Sequence, residues 1–256
     1  MTSSCDSRTT AAINTSAATG LSGKTAAVTG ASRGIGAEIA RLLAASGVRV
    51  ALLARTVTAL EAVVSEIDKD AIAIRCDVSD EDSVTAAANE ARAAFGRAPD
   101  ILVNNAGAFH LGSLHEMQVG QFAESLQTNL VAPFLMTRAF LAEMRMRNSG
   151  HIVTVGSVAD RSIFPDNGAY AASKYGLRAM HEVLRAEVRG TGVRATLVSP
   201  SAVDTNLWDP MDTEGADSPF PSRGSMLSTN AVAHAVLYAL SQPPEVNVDE
   251  LRLSRS

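Results

Sequence analysis

Residues 25–46, TAAVTGASRGIGAEIARLLAAS, decide the fold. Thr25–Thr29 is a short apolar run of strand length, and Ile35, Ile39, Leu42 and Leu43 recur at helical spacing over Gly34–Ser46. Between them Gly30, Gly34 and Gly36 give a GxxxGxG turn. Glycines there let the backbone turn sharply and come close to a ligand, and the N-terminus of the following helix favours a negative charge. A strand, a glycine turn and a helix in that order make a phosphate-binding unit. A glycine turn alone would not, because such turns are common between strands and helices.

The same alternation continues outward. Arg49–Leu53, Ala71–Cys76, Ile101–Val103, Ile152–Val155, Arg194–Val198 and Val246–Leu253 read as strands. Helices are expected over 56–68, from the N-cap Asp80 to Phe95, and over 119–146, 170–190 and 229–240. Alternating strands and helices imply right-handed crossovers, a parallel sheet and helices on both faces. The fold class is a doubly wound α/β domain with about seven strands, over residues 21–256. Residues 1–20, rich in Ser, Thr and Ala, read as a disordered tail, with a weak organelle-transit segment as the alternative, and 200–228, with four prolines, as a loop or lid over the substrate.

Composition excludes several functions. The 256-residue chain carries a net charge of −5 and no long basic run, which argues against nucleic-acid partners. Cys5 and Cys76 have no ligand spacing, and the five histidines form no HExxH pattern, so no metal site is expected. No apolar stretch reaches the ~20 residues that span a bilayer, and residues 1–20 lack the apolar segment of an export signal. A cytoplasmic location is the expectation.

Two ends of one site follow. At the end of the second strand, Ala54-Arg55 stands where an acid would hold the adenosine ribose of NAD, and no acid occurs between Glu38 and Glu61. Arg55, with Arg33 in the glycine turn, suits the 2′-phosphate of NADP(H), unless both are merely solvated surface groups. Tyr170 and Lys174 lie four apart on one helix face. With three tyrosines and three lysines in the chain, chance placement gives roughly 0.04 such pairs. A phenol exchanges a proton near neutrality only beside a positive charge, which Lys174 supplies. Ser157 ends the fifth strand, at the sheet edge where such folds bind ligands, and can donate to a substrate oxygen.

With these residues in view, the chain resembles the short-chain dehydrogenase/reductase family over roughly 21–253, a Rossmann-type fold. The resemblance rests on Thr29–Gly36, Asp77-Val78, Asn104–Gly107, Asn129, Ser157, Tyr170 with Lys174, and Pro200 through Thr205. It implies NADP(H)-dependent hydride transfer between a ketone or aldehyde and an alcohol. The implied catalytic set is Asn129, Ser157, Tyr170 and Lys174. The implied cofactor set is Gly30, Ser32, Arg33, Ile35, Gly36, Arg55, Asp77, Val78, Asn105, Ala106, Gly107, Tyr170, Lys174, Pro200, Val203 and Thr205. Asn129 would hold a proton-relaying water. Pro133 has no N–H, so the Asn129 carbonyl lacks its helical donor, which leaves either a water site or an ordinary kink.

Two departures from the family stand out. Ser201 follows Pro200 where glycine is usual, so a slightly altered backbone is expected there without loss of binding. The ending Glu245–Leu253 lacks the Asp/Asn-Gly-Gly turn of the 3-oxoacyl-thioester reductases and resembles the branch of small-alcohol dehydrogenases. Phe109, His110, Leu111, Val158, Arg161, Phe164, Trp208 and Met211 are expected around the substrate, with Arg161 able to bind a carboxylate. The acids Asp204, Asp209, Asp212, Glu214 and Asp217 should repel anionic carrier proteins. A thioester reductase and a non-catalytic NADP-binding regulator are the competing readings. The resemblance also implies a homotetramer or homodimer, built on the 119–146 and 170–190 helices.

Overall fold

The computed structural model describes residues 20–67, 71–213, 215 and 220–256. The expected disordered tail, the helix end at Asp68, and the acids Glu214 and Asp217 therefore lie outside the described residues, except for Gly20.

Seven strands form one parallel sheet in the order β3-β2-β1-β4-β5-β6-β7. They are β1 (Thr25–Thr29), β2 (Arg49–Ala54), β3 (Ala71–Arg75), β4 (Ile101–Asn104), β5 (Gly150–Val155), β6 (Val193–Pro200) and β7 (Glu250–Leu253). The helices are α1 (Gly34–Ala45), α2 (Val57–Glu66), α3 (Glu81–Phe95), α4 (Val119–Leu126), α5 (Ala132–Met146), α6 (Gly168–Val188) and α7 (Thr229–Leu240). Chain order runs outward from β1 to β3, then returns to place β4 on the other side of β1. That reversal opens a cleft at the carboxyl ends of β1 and β4.

The central strands are apolar throughout because both faces are covered. Ala26 and Val28 face the α1–α2–α7 layer with Val50 and Leu52, whereas Ala27, Ala51 and Leu53 face the α3–α5–α6 layer. Phe140, Met136 and Met144 of α5 fill the second layer. Asp80 caps α3 as expected, its carboxylate accepting from the N–H groups of Asp82 and Ser83 at 2.9 and 3.4 Å.

Three expectations are corrected. The helix expected over 119–146 is interrupted: α4 ends at Leu126, and Gln127–Val131 widens into a π turn before α5. Pro133 accounts for the break, since it withholds the N–H that the Asn129 carbonyl would accept. The last strand is shorter than Val246–Leu253. Asn247 continues the ladder with its side chain instead, accepting from Ala195 N–H (3.0 Å) and donating to the Ala195 carbonyl (3.1 Å). The segment after β6 is partly tied down, with Val203 bridged to Leu227 and Arg223 paired with Asp204 (2.8 Å) and Asp209 (2.7 Å). Arg223 thus offsets one of those two negative charges within the segment, which weakens the expected repulsion of anionic partners.

Candidate active site

Thr29 closes β1 and organises the cleft floor. Its hydroxyl accepts from the N–H groups of Asn105 (2.9 Å) and Ala106 (3.0 Å), and its carbonyl accepts from the Asn105 side chain (2.9 Å). This stitching brings the glycine turn against the end of β4. Gly30 has φ +65°, and a Cβ there would lie 2.9 Å from the Ala106 Cα. At Gly36 a Cβ would lie 2.4 Å from the Gly30 carbonyl oxygen. Gly36 is buried beneath the turn and does not line the cleft, where its lack of a side chain lets α1 seat against the Gly30 carbonyl.

The first turn of α1 contains no acid and no side chain capping its N–H groups. Arg33, just before it, and Arg55, at the end of β2, are both exposed, and neither has an ion-pair partner among the described residues. A glycine cradle, an uncapped helix start and two uncommitted guanidinium groups fit a phosphorylated dinucleotide. Further along, Asp77 lines the cleft beside Val78. The Ser79 hydroxyl, donating at 2.6 Å, holds the Asp77 carboxyl below its ordinary value.

At the other end, β5 stops at Val155 and Ser157 caps a 3₁₀ turn over Val158–Asp160. The Tyr170 hydroxyl interacts with the Ser157 side chain, and Lys174 Nζ lies 5.5 Å from the Tyr170 ring centre while donating to the Val155 carbonyl (3.1 Å). Burial raises the Tyr170 phenol; the Ser157 side chain lowers it, and the Asp160 charge raises it. Burial brings the Lys174 ammonium down to about 8, against the opposing pull of Asp160. Tyr170 therefore keeps its proton at neutral pH while Lys174 keeps most of its charge.

Asn129 stands apart from this group. It is buried within the π turn and does not line the cleft. Its amide donates to the Ala108 carbonyl (2.8 Å) and the Ser173 hydroxyl (2.9 Å), and its oxygen accepts from Ala108 N–H (2.8 Å). The side chain is thus a clasp between the 107–108 loop and α6. The expected cofactor residues Gly30, Ser32, Arg33, Ile35, Arg55, Asp77, Val78, Asn105, Ala106, Gly107, Tyr170, Lys174, Pro200, Val203 and Thr205 all line one cleft. Its volume, about 1290 Å³, exceeds the roughly 300–1,000 Å³ of ordinary small-molecule pockets and leaves room for a second molecule beside a dinucleotide. Ser201 needs no glycine-like backbone: its φ is not positive, and its N–H pairs with the Leu253 carbonyl (2.8 Å).

Of the expected substrate residues, Phe109, Leu111, Val158, Phe164 and Trp208 line the cleft, whereas His110, Arg161 and Met211 do not. His110 is held by Glu124 at 3.0 Å. Arg161 is locked between Asp160 (2.5 Å) and Glu250 on β7, so it is not free for a substrate carboxylate. Asp160 is the residue that sequence reasoning missed. It is fully buried and takes a hydrogen bond from the Ser199 hydroxyl (2.7 Å) as well as those from Arg161. The one local signal for it was the acid–base dipeptide Asp160-Arg161 at the end of the turn that Ser157 caps.

Comparison with known proteins agrees with this arrangement. A family model described as short chain dehydrogenase matches residues 24–215. An uncharacterized oxidoreductase of Staphylococcus saprophyticus is 33% identical over 195 residues, covering 75% of this chain and 79% of the relative. A metagenomic short-chain oxidoreductase solved in complex with NADP superposes with a TM-score of 0.79 at 35% identity, covering 92% of this chain and 98% of that one. An alcohol dehydrogenase from Thermococcus sibiricus complexed with 5-hydroxy-NADP gives 0.79 at 31% identity, with 90% and 95% covered. The chain belongs to the short-chain dehydrogenase family.

Proposed function

We propose that this protein is an NADP(H)-dependent carbonyl reductase or alcohol dehydrogenase acting on a free small molecule. The observation that carries the reading is Tyr170, beside Ser157 and the buried Lys174, at the cleft end opposite Arg33 and Arg55, which have no ion-pair partner among the described residues. Arg33 and Arg55 would hold the 2′-phosphate, the Gly30 turn the pyrophosphate, and Asp77 and Val78 the adenine. The bound nicotinamide supplies a hydride and removes one in the reverse direction.

In reduction the carbonyl carbon gains that hydride and the carbonyl oxygen gains the Tyr170 proton, giving an alcohol. Ser157 donates to the oxygen as charge develops on it. Lys174 holds positive charge next to the phenol, so that its conjugate base is tolerated, and Tyr170 then regains a proton from solvent. The metagenomic and Thermococcus neighbours, both solved with NADP-type cofactors, support the choice of dinucleotide. The exposed Phe134, Tyr175 and Val183 on α5 and α6 support a homotetramer or homodimer, and the cytoplasm is the expected location. Among the described residues no helix is long and apolar enough to cross a membrane.

The test is NADPH consumption against a ketone and aldehyde panel. Tyr170→Phe should lower turnover by ~10²–10⁴-fold with NADPH affinity nearly unchanged, because only the proton donor is lost. A near-normal rate in that variant would overturn the mechanism. Ala54→Asp should weaken NADPH and improve NADH, since the new carboxylate repels the 2′-phosphate and can accept from ribose hydroxyls. A wild type that prefers NADH in steady-state kinetics would refute the assignment of Arg33 and Arg55.

A further inference from the structure

The substrate half of the cleft is aromatic on one wall. The Phe109 ring meets Tyr170 edge-on at 4.8 Å and Trp208 at 5.5 Å, and Trp208 meets Phe220 at 5.9 Å. This strip starts at the tyrosine that would protonate the substrate and runs outward from it. Trp208 is fixed by donating its indole N–H to the Val203 carbonyl (3.1 Å). Phe164 and Leu207 also line the cleft, and they leave 50% and 40% of their surface to solvent. Apolar surface left open inside a concavity gains free energy when a ligand covers it.

Charge points the same way. Among the described residues, the only lysines and arginines lining the cleft are Arg33 and Arg55, both at the phosphate end, and Lys174, committed to the Val155 carbonyl. The carboxylates of Glu116, Glu124 and Asp166 line the substrate half. Arg161 is taken up by Asp160 and Glu250, and Arg223 pairs with Asp204 and Asp209. Glu214 and Ala216 to Pro219, the residues of the neighbouring segment outside the described set, include no cation. A substrate carboxylate would lose its hydration here without gaining a counter-ion, and would face like charges as well.

We propose that the substrate is an aromatic ketone, or the matching alcohol, that carries no carboxylate. The aryl group would lie along the Phe109–Trp208–Phe220 strip with its carbonyl at Tyr170. Aromatic pairs favour offset or edge contacts such as this strip already makes. This inference rests on the carbonyl–alcohol reading above, deepens it to a substrate class, and separates this site from those built for hydroxy acids.

The test compares methyl 4-acetylbenzoate with 4-acetylbenzoate, which share ring and ketone and differ in charge. Trp208 is the chain's single tryptophan, so its fluorescence reports occupancy of the strip without turnover. Quenching is followed with the protein alone and with NADP⁺, corrected for absorption with N-acetyltryptophanamide, alongside kcat/KM with NADPH. The ester should be favoured by about a hundredfold in kcat/KM, and it alone should quench Trp208 at sub-saturating concentration. Phe164→Arg, at a half-exposed position, should narrow that gap about tenfold by supplying the absent cation.

Equal or better use of the free acid overturns the proposal while leaving hydride transfer intact. Quenching by the ester without any reduction supports the proposed ligand class and removes the reductase reading. Quenching by neither compound overturns the aromatic class.

Discussion

The Asp160 charge raises the proton affinity of both Tyr170 and Lys174 from a fully buried position at the end of the turn that Ser157 caps. On the proposed mechanism carbonyl reduction needs a protonated Tyr170 and a charged Lys174, and both conditions fail as pH rises. With Lys174 at about 8, kcat/KM for reduction should fall as pH climbs through that region. Asp160→Asn removes the negative charge, so that limb should move to lower pH while the rate at pH 6 stays close to wild type. Arg161 retains Glu250 in the variant, which limits the structural damage. An unmoved limb would show that Asp160 only holds the turn in place. The difference in legibility at this scale is physical. Tyr170 and Lys174 are four apart on one helix, so local geometry brings them together whatever the rest of the chain does. Arg161 looked available for a substrate because its partner Glu250 lies on the last strand, and no local pattern connects the two.

Among the elements, the passage from β1 through the glycine turn into α1 carries the most demanding packing. Gly36 would place a Cβ 2.4 Å from both the Gly30 carbonyl oxygen and the Asn105 side-chain nitrogen. Neither can retreat easily, since one is backbone and the other bonds to the Thr29 carbonyl. Gly34 differs: its φ is +58°, but a Cβ there meets only the Thr205 methyl at 3.5 Å. Gly36→Ala should therefore cost ~2–3 kcal/mol through overpacking, and Gly34→Ala ~1–2 kcal/mol through the left-handed backbone alone. Urea midpoints of the two variants give the order directly, and equal values would refute this division of roles. The strand–turn–helix unit was legible because its pattern is local and strongly periodic. The π turn was only half legible. Pro133 announced a lost donor, but whether the helix would kink or widen depended on Asn129 reaching Ala108 and Ser173 across space.

The whole sheet adds a sensitivity to acid that no single element shows. The doubly wound architecture followed from alternating strands and helices, but the fate of the histidines depended on which faces β5 and β6 would bury. His151 on β5 bonds Thr196 of β6 at 2.8 Å, and His181 of α6 bonds Thr154 of β5 at 3.0 Å. Both side chains are at least 97% buried, and among the described residues His151 Nδ1 has no hydrogen-bond partner. A second proton on that ring would enter the core without an acceptor. Burial lowers His181 to about 4, and Arg185 lowers it further, outweighing the Ala195 backbone and the acids Glu182 and Asp249. Burial also lowers His151 well below its ordinary value, helped by Arg194 and Lys24.

These folded-state values lie below the unfolded one near 6.5, so the unfolded chain binds more protons wherever the pH is between them. The stabilising contribution of His181 is complete above about pH 6.5 and is lost as pH falls towards 4, and that of His151 is lost in the same direction. Urea unfolding at pH 7.5 and 5.5 should show that loss in the wild type. His181→Asn keeps a side-chain partner for Thr154 and has no titrating ring. The variant should start less stable at pH 7.5 and then lose less than the wild type on acidification, because His151 still titrates. A variant with the same pH slope as the wild type would mean that the buried pair does not set the acid limit of the fold.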